Sequence, residues 1–406
     1  MTAGGGAEAS VDLEALGFDR GGHLLVKRAL GALPVGARLA VRGSDEHLAL
    51  HLRAWCRGQG HGFEGATEER ASAGLVVRGP AQIGRWAGAE RAGRARATAE
   101  GAVVDAPPAR WGLAPRGALV EAGGPESPFF LGDKSVVWAD DAARLYDQAA
   151  AAQWDPATAI DWAAARDLPV EIEDAVVQVM TYLIENETAA LLVPARFLAR
   201  LHPHFREVMQ LLAIQVADEA RHIEIFTRRA LLRRDDLGLS TAGGRSSLDT
   251  LMEEPDFALA SFLLSVLGEG SFLSLLWFLH AHAPDPVTAD VARLAAQDEA
   301  RHVAFGLSHL ARNLERDPAL RARLVAAVER RHDALRATAG LNEEVFDALV
   351  LLAAGGWTPE ALARGWDAVA ALERDMDQGR QRRLKRLGFG AAEGEALSAL
   401  HTKNFM

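Results

Sequence analysis

Asp218-Glu219-Ala220-Arg221-His222 and Asp298-Glu299-Ala300-Arg301-His302 are one pentapeptide written twice, each inside a stretch of long helical periodicity. On a helix of 3.6 residues per turn, side chains three apart share a face, so Glu219 lies beside His222 and Glu299 beside His302. A carboxylate oxygen next to an imidazole nitrogen suits a first-row transition metal such as iron or manganese. Two such pairs, each joined by one glutamate from the preceding helix, give four carboxylates and two histidines, the ligand set of a carboxylate-bridged dinuclear centre in a helical bundle.

The preceding helices supply candidates. Glu269 stands in the apolar run from Phe262 to Leu273, where an unpaired carboxylate would be costly to bury and a metal would remove the cost. The first half offers both Glu185 and Glu187. Aligning Met180 to Glu185 with Leu264 to Glu269 matches chemical type and favours Glu185, whereas the turns near Pro203 and Pro284 give more symmetric hairpins with Glu187. The chemical match is weighed more heavily here, so Glu185 is the expected ligand and Glu187 the alternative. A single Glu-x-x-His is commonly a solvated helix face. The doubling, with a glutamate before each copy, points to a metal site. The aspartates at 218 and 298 are placed to orient histidine ligands, and Arg221 and Arg301 read as ion-pair partners of nearby carboxylates.

The chain of 406 residues as a whole sets bounds. A net charge of −11 argues against a nucleic-acid partner, since no basic field would gather phosphates. The one cysteine, Cys56, allows no internal disulfide and fits a reducing compartment. The N-terminus shows no export signal, so a cytoplasmic location is expected. Phe257 to Ala283 is long and apolar enough to span a bilayer, but Glu269, two glycines and two histidines interrupt it. It is read as a buried bundle helix, with no membrane partner.

Composition divides the chain into three. Residues 1–82 alternate short apolar runs with helices at Gly22 to Leu33 and Glu46 to Gly58, in the order strand, helix, strand, helix, strand, strand of a small α+β domain. Residues 83–125 read as a linker with a strand or two. Residues 126–406 are mainly α, with helices expected at Val170 to Leu201, His204 to Arg233, Phe257 to Ala283, Val287 to Leu314, Glu343 to Ala354 and Pro359 to Arg386. A long crossover over Arg234 to Pro255 joins the two helix pairs.

From about residue 128 onward the chain resembles the ferritin-like dinuclear-iron oxygenases and oxidases, whose pattern is Glu, some thirty residues, then Asp-Glu-x-x-His, given twice. The stretch Gln153-Trp154-Asp155-Pro156 to Ile160-Asp161-Trp162 resembles that group's lead-in helix. The resemblance implies a ferritin-like four-helix bundle with extra helices and a cofactor of two iron ions, with Mn/Fe as the other pair. It also implies dioxygen activation, a small organic substrate and an external electron donor. Ligand roles fall to Glu219, His222, Glu269, Glu299, His302 and either Glu185 or Glu187. The third histidine of the p-aminobenzoate N-oxygenase branch is replaced by Ala295, and the radical tyrosine of ribonucleotide reductase small subunits by Phe226. Tyr146 and Tyr182 are the only tyrosines, and Tyr182 is the one near the site. Metal storage or peroxide detoxification without an organic substrate is the alternative function.

Residues 10 to 80 resemble the TusA/SirA-like sulfur carriers through Val11 to Gly17, Leu24 to Leu30 and Leu52 to Arg57. The carrier Cys-Pro pair is absent: Phe18-Asp19 follows Gly17. The resemblance implies a carrier fold without its thiol, serving docking or dimerisation, with a homodimer as the assembly entertained. Cys56 reads as a packed side chain.

Overall fold

The computed structural model describes residues 7–65, 74–81, 85–336 and 343–401, which fall into two units: residues 1–92 with 117–125, and 93–116 with 126–406. In the smaller unit, strands Ala9–Asp12 (β1), Arg38–Arg42 (β2), Gly62–Glu64 (β3) and Gly74–Val77 (β4) form a sheet of order β1-β2-β4-β3. The β1/β2 pair is parallel and the other two pairs are antiparallel. Helix Gly22–Gly31 (α1) makes the crossover that a parallel pair requires. Helix Leu48–Gln59 (α2) joins β2 to β3 and adds Leu48, Leu52 and Cys56 to a core with Leu13, Val26, Leu39, Val41 and Val76. The order of elements is the one expected from the sequence.

Residues 83–125 are not the expected linker. Glu90–Arg91 (β5) pairs antiparallel with Leu119–Val120 (β6) in the smaller unit. Residues 93–116 are anchored in the larger unit, where Arg116 Nη1 donates to Glu207 Oε2 at 2.9 Å, both side chains buried, and the Val104 N–H donates to His204 Nε2 at 3.0 Å. A composition rich in glycine and alanine says loop; these polar anchors make it a fixed one.

The larger unit is built on two helix pairs. After short helices Lys134–Val137 (α3) and Ala142–Ala151 (α4), Val170–Leu198 (α5) packs along Arg206–Ala230 (α6). Helix Ala242–Met252 (α7) lies within the expected crossover. Then Phe257–Ser261 (α8), a π-helical segment Phe262–Glu269 and Gly270–Ala281 (α9) run on as one stretch that packs along Pro286–Arg316 (α10). Its window is 78% buried, as for a bundle helix rather than a membrane-facing one. Side chains fix the starts: Asp256 accepts from the Ala258 and Leu259 N–H groups, and Asp285 accepts from Thr288 N–H with Pro286 at the first turn. Leu320–Leu335 (α11), Glu343–Ala354 (α12), Pro359–Arg386 (α13) and Ala391–His401 (α14) pack around these pairs, which gives the mainly α, ferritin-like bundle with added helices.

The core of this unit has a waist. One apolar cluster holds Phe197 and Leu201 of the α5 end, Phe205 to Leu212, Phe257 to Leu267 and Val303 to Leu310. A second holds Ile172 to Leu183, Ile225 and Phe226, Phe272 to Leu279 and Val287 to Ala296. Each of the four long elements places buried polar residues between the two clusters: Glu187; Asp218, Glu219 and His222; Glu269; and Asp298, Glu299 and His302. Gly306 brings α10 against the π segment there, since a Cβ on it would lie 2.6 Å from the Ser265 Cβ.

Candidate metal centre

At the waist, Glu187, Glu219, His222, Glu269, Glu299 and His302 are all buried. They form two groups whose ligand atoms lie within 4.8 Å of one another: Glu187, Glu219, His222 and Glu299; and Glu219, Glu269, Glu299 and His302. Glu219 and Glu299 belong to both. Glu219 offers Oε2 to His222 Nδ1 (3.2 Å) and Oε1 to His302 Nδ1 (3.0 Å). Glu299 offers Oε1 to His222 Nδ1 (3.4 Å) and Oε2 to His302 Nδ1 (3.3 Å). Each of these carboxylates therefore spans the two histidines, one oxygen to a side. Glu187 Oε2 lies 3.6 Å from His222 Nδ1 and closes one end; Glu269 closes the other.

Glu187, not Glu185, joins the cluster. Two positions are about 200° of helix rotation, so the two cannot serve one centre, and Glu185 is only half-buried. The misleading step was the match to Glu269. It assumed equal pitch in both helices, whereas Glu269 ends a π-helical segment whose wider turns change the register.

Behind each histidine the aspartates cross over. His222 Nε2 meets Asp298 Oδ2 at 3.3 Å and His302 Nε2 meets Asp218 Oδ2 at 3.2 Å, so each pentapeptide orients the other's histidine. With Nε2–H donated to a carboxylate, Nδ1 is the ring atom turned to the shared glutamates, and it would ligate a metal once its own proton is displaced. Arg221 Nη2 binds both aspartates, Asp218 at 2.6 Å and Asp298 at 3.1 Å, and Arg301 pairs with Asp298. Trp154 Nε1 donates to Asp298 Oδ2 (2.8 Å) and Gln153 Nε2 to Asp218 Oδ1 (3.0 Å). The Trp154 ring stacks at 14° to that of His222, with centroids 6.5 Å apart. Gln153 to Asp155 carry no regular secondary structure rather than the lead-in helix expected, with Pro156 directly following. Their role at the aspartates was not legible in the sequence, nor was that of Gln215, whose Nε2 donates to Glu269 Oε1 at 3.0 Å.

Burial and mutual charge shift titration within the cluster. Burial, and then the charge of Glu219, pushes the Glu187 carboxyl up to about 8. Burial and the Glu299 charge push Glu269 well above the carboxylate range. For His222 burial acts downward, yet the hydrogen bonds to Asp298, Glu187, Glu219 and Glu299 outweigh it and hold the ring well above its usual value. Burial also opposes ionisation of Asp298, but His222 prevails and holds it at about 2. Glu187 Oε1 and Glu269 Oε2 are buried with no hydrogen-bond partner. With the Glu187 and Glu269 carboxyls and the His222 ring held toward their protonated forms, protons offset the buried charge, and the donor set can hold two divalent cations in their place.

No protein-family model matches the chain, and no curated protein matches it. Among solved structures it is similar to a single-residue variant of an R2-like ligand-binding oxidase with an aerobically reconstituted Mn/Fe cofactor, at 19% identity over 64% of this chain and 94% of that one, TM-score 0.44. It is similar to another variant of that oxidase with an Fe/Fe cofactor, at 21% identity over 65% and 94%, TM-score 0.44. A third is a protein with aldehyde deformylating oxidase activity from Synechococcus, at 17% identity over 56% and 96%, TM-score 0.39. The functional reading rests on the side chains of the waist.

Proposed function

We propose that the chain is a dioxygen-activating, non-haem dinuclear oxidoreductase acting on a small organic substrate. The supporting observation is the pair of buried carboxylate–histidine groups sharing Glu219 and Glu299. Glu187, Glu219, His222, Glu269, Glu299 and His302 would hold the metals, and a bound Fe/Fe or Mn/Fe pair would supply the redox chemistry with dioxygen. Asp218 and Asp298 fix the histidine tautomers, Gln215 orients Glu269, and the apolar clusters on either side exclude water. Further electrons come from an external donor. The smaller unit is read as a carrier-type fold without its thiol, used for docking or dimerisation, in a cytoplasmic protein.

The test is anaerobic ferrous loading followed by dioxygen. About two ions per chain should bind, and oxygen uptake should accelerate with an organic substrate that is itself converted. Iron accumulating far beyond that stoichiometry, with uptake indifferent to every organic compound offered, would establish storage instead.

A further inference from the structure

Beside the metal centre, the larger unit buries positive charge. Arg331 of α11 is only 6% exposed, and among the described residues its guanidinium meets no carboxylate. Its Nε donates to Thr250 Oγ1 (3.0 Å), and its Nη2 to Ser247 Oγ (2.8 Å) and the Ser247 carbonyl (3.3 Å). Arg383 of α13 donates Nε to the Val266 carbonyl of the π segment at 2.6 Å, while its Nη2 is buried without a partner. Arg380 is buried too, with Nη1 on Ser271 Oγ at 3.1 Å and Nε on Ser398 Oγ at 3.0 Å. His401 at the end of α14 is buried with Nε2 unpartnered; burial, then the fields of Arg331, Arg380 and Arg383, hold it well below the usual histidine range. Tyr182 Oη, within the field of Arg331, is likewise buried and unpartnered.

A guanidinium keeps its proton, so burying one among hydroxyls alone is costly until an anion arrives. Arg331 is also reachable. A cavity of about 410 Å³ is lined by Thr250, Glu253, Glu254, Leu263, Arg330 and Arg331, a size suited to a small organic ligand. Leu263 belongs to the π segment that ends in Glu269, and Tyr182 precedes Glu187 by five residues, about 7.5 Å along α5.

We propose that Arg331 receives, in this cavity, the carboxylate of an organic acid whose apolar body lies against Leu263 of the π segment. The planar guanidinium fork matches a carboxylate. Glu253 and Glu254 at the cavity repel a dianion such as phosphate more than a monoanion, and among the described residues Glu254 is paired with Arg330 at 3.4 Å. The assignment of this acid as substrate rests on the oxidoreductase reading; the carboxylate receptor itself does not.

The metal-free full chain is therefore titrated calorimetrically with octanoate, benzoate, octanamide, benzamide and inorganic phosphate. At least one acid should bind about ten-fold or more tightly than its amide, phosphate should not displace it, and Arg331→Gln should erase the preference. Arg364→Gln, on an exposed side chain of α13 that does not line the cavity, should leave it in place. Failure of both acids to bind, equal affinity for acid and amide, displacement by phosphate, or a preference surviving in Arg331→Gln would overturn the proposal. The acid–amide comparison needs no variant, so it decides even if Arg331→Gln does not fold. Metal-free binding separates this outcome from the fate of the oxidoreductase reading, which stands or falls on metal loading and oxygen uptake.

Discussion

Glu187 ties metal affinity to pH and to the stability of the metal-free fold. Its carboxyl titrates near 8 in the folded chain against an ordinary value of 4.5, so the folded state holds this proton more tightly than the unfolded one. Its stabilising contribution is complete below about pH 4.5 and is lost as pH rises through about 8. Glu187→Gln, neutral throughout, should gain melting temperature over metal-free wild type progressively between about pH 5 and 8; parallel melting curves would refute the assignment. Metal uptake has the opposite dependence, because the ion must displace the proton. At pH 7.5, Glu187→Gln should lower the metal content while Glu185→Gln leaves it near wild type, as elemental analysis would show. The two Glu-x-x-His pairs were legible because three-residue spacing on a helix leaves no freedom of direction. The choice between Glu185 and Glu187 was not, because it depended on the pitch of the other helix.

That pitch is a property of elements, and a sequence says little about it. Phe262 to Glu269 is apolar at nearly every position, so no periodicity separates a π segment from an α-helix. The long periodic helices were read well, with α12 and α13 at their observed ends and α5, α6 and α10 within a few residues. The glycine- and serine-rich α7 lies inside the crossover expected over Arg234 to Pro255, where few apolar positions repeat to signal a helix. Two contacts hold the elements in place. Gly306 lets α10 meet the π segment, and Gly306→Ala should cost about 1–3 kcal/mol by overpacking and lower metal occupancy as Glu299 and Glu269 move apart. Arg229 of α6 joins Glu173 of α5 (2.7 Å) to Asp285 (3.3 Å) and Thr288 (2.7 Å) at the start of α10, all buried. Arg229→Met leaves both carboxylates buried and unpaired, and chemical denaturation should show a loss of about 3–5 kcal/mol. A loss below about 1 kcal/mol would mean that water already reaches the network.

Across the whole molecule, two chemistries were separable in the sequence: a small α+β unit and a helical unit carrying the carboxylates. What escaped the sequence was the attachment of residues 93–116 to the larger unit, because single polar anchors such as Arg116 with Glu207 carry no periodicity. The smaller unit's Cys56 lies fully buried, and burial pushes its thiol up to about 11. Cys56 should therefore resist thiol reagents in the native chain, and Cys56→Ser should cost no more than about 1–2 kcal/mol with oxygen uptake unchanged. Lost uptake at constant metal content would instead give that thiol a part in turnover. The waist makes the stronger claim on the molecule. Its six ligand side chains come from α5, α6, the π segment and α10, and without metal four carboxylates share a dry space with two imidazoles. A pair of divalent cations binds the folded arrangement and not the unfolded chain, so saturation at about 100 times Kd should add about 2.7 kcal/mol per site and raise Tm with metal concentration. Chelation should reverse the gain, and combining Glu219→Gln with Glu299→Gln should abolish it, since those two carboxylates serve both sites. A metal-induced shift that survives in that double variant would place the ions elsewhere.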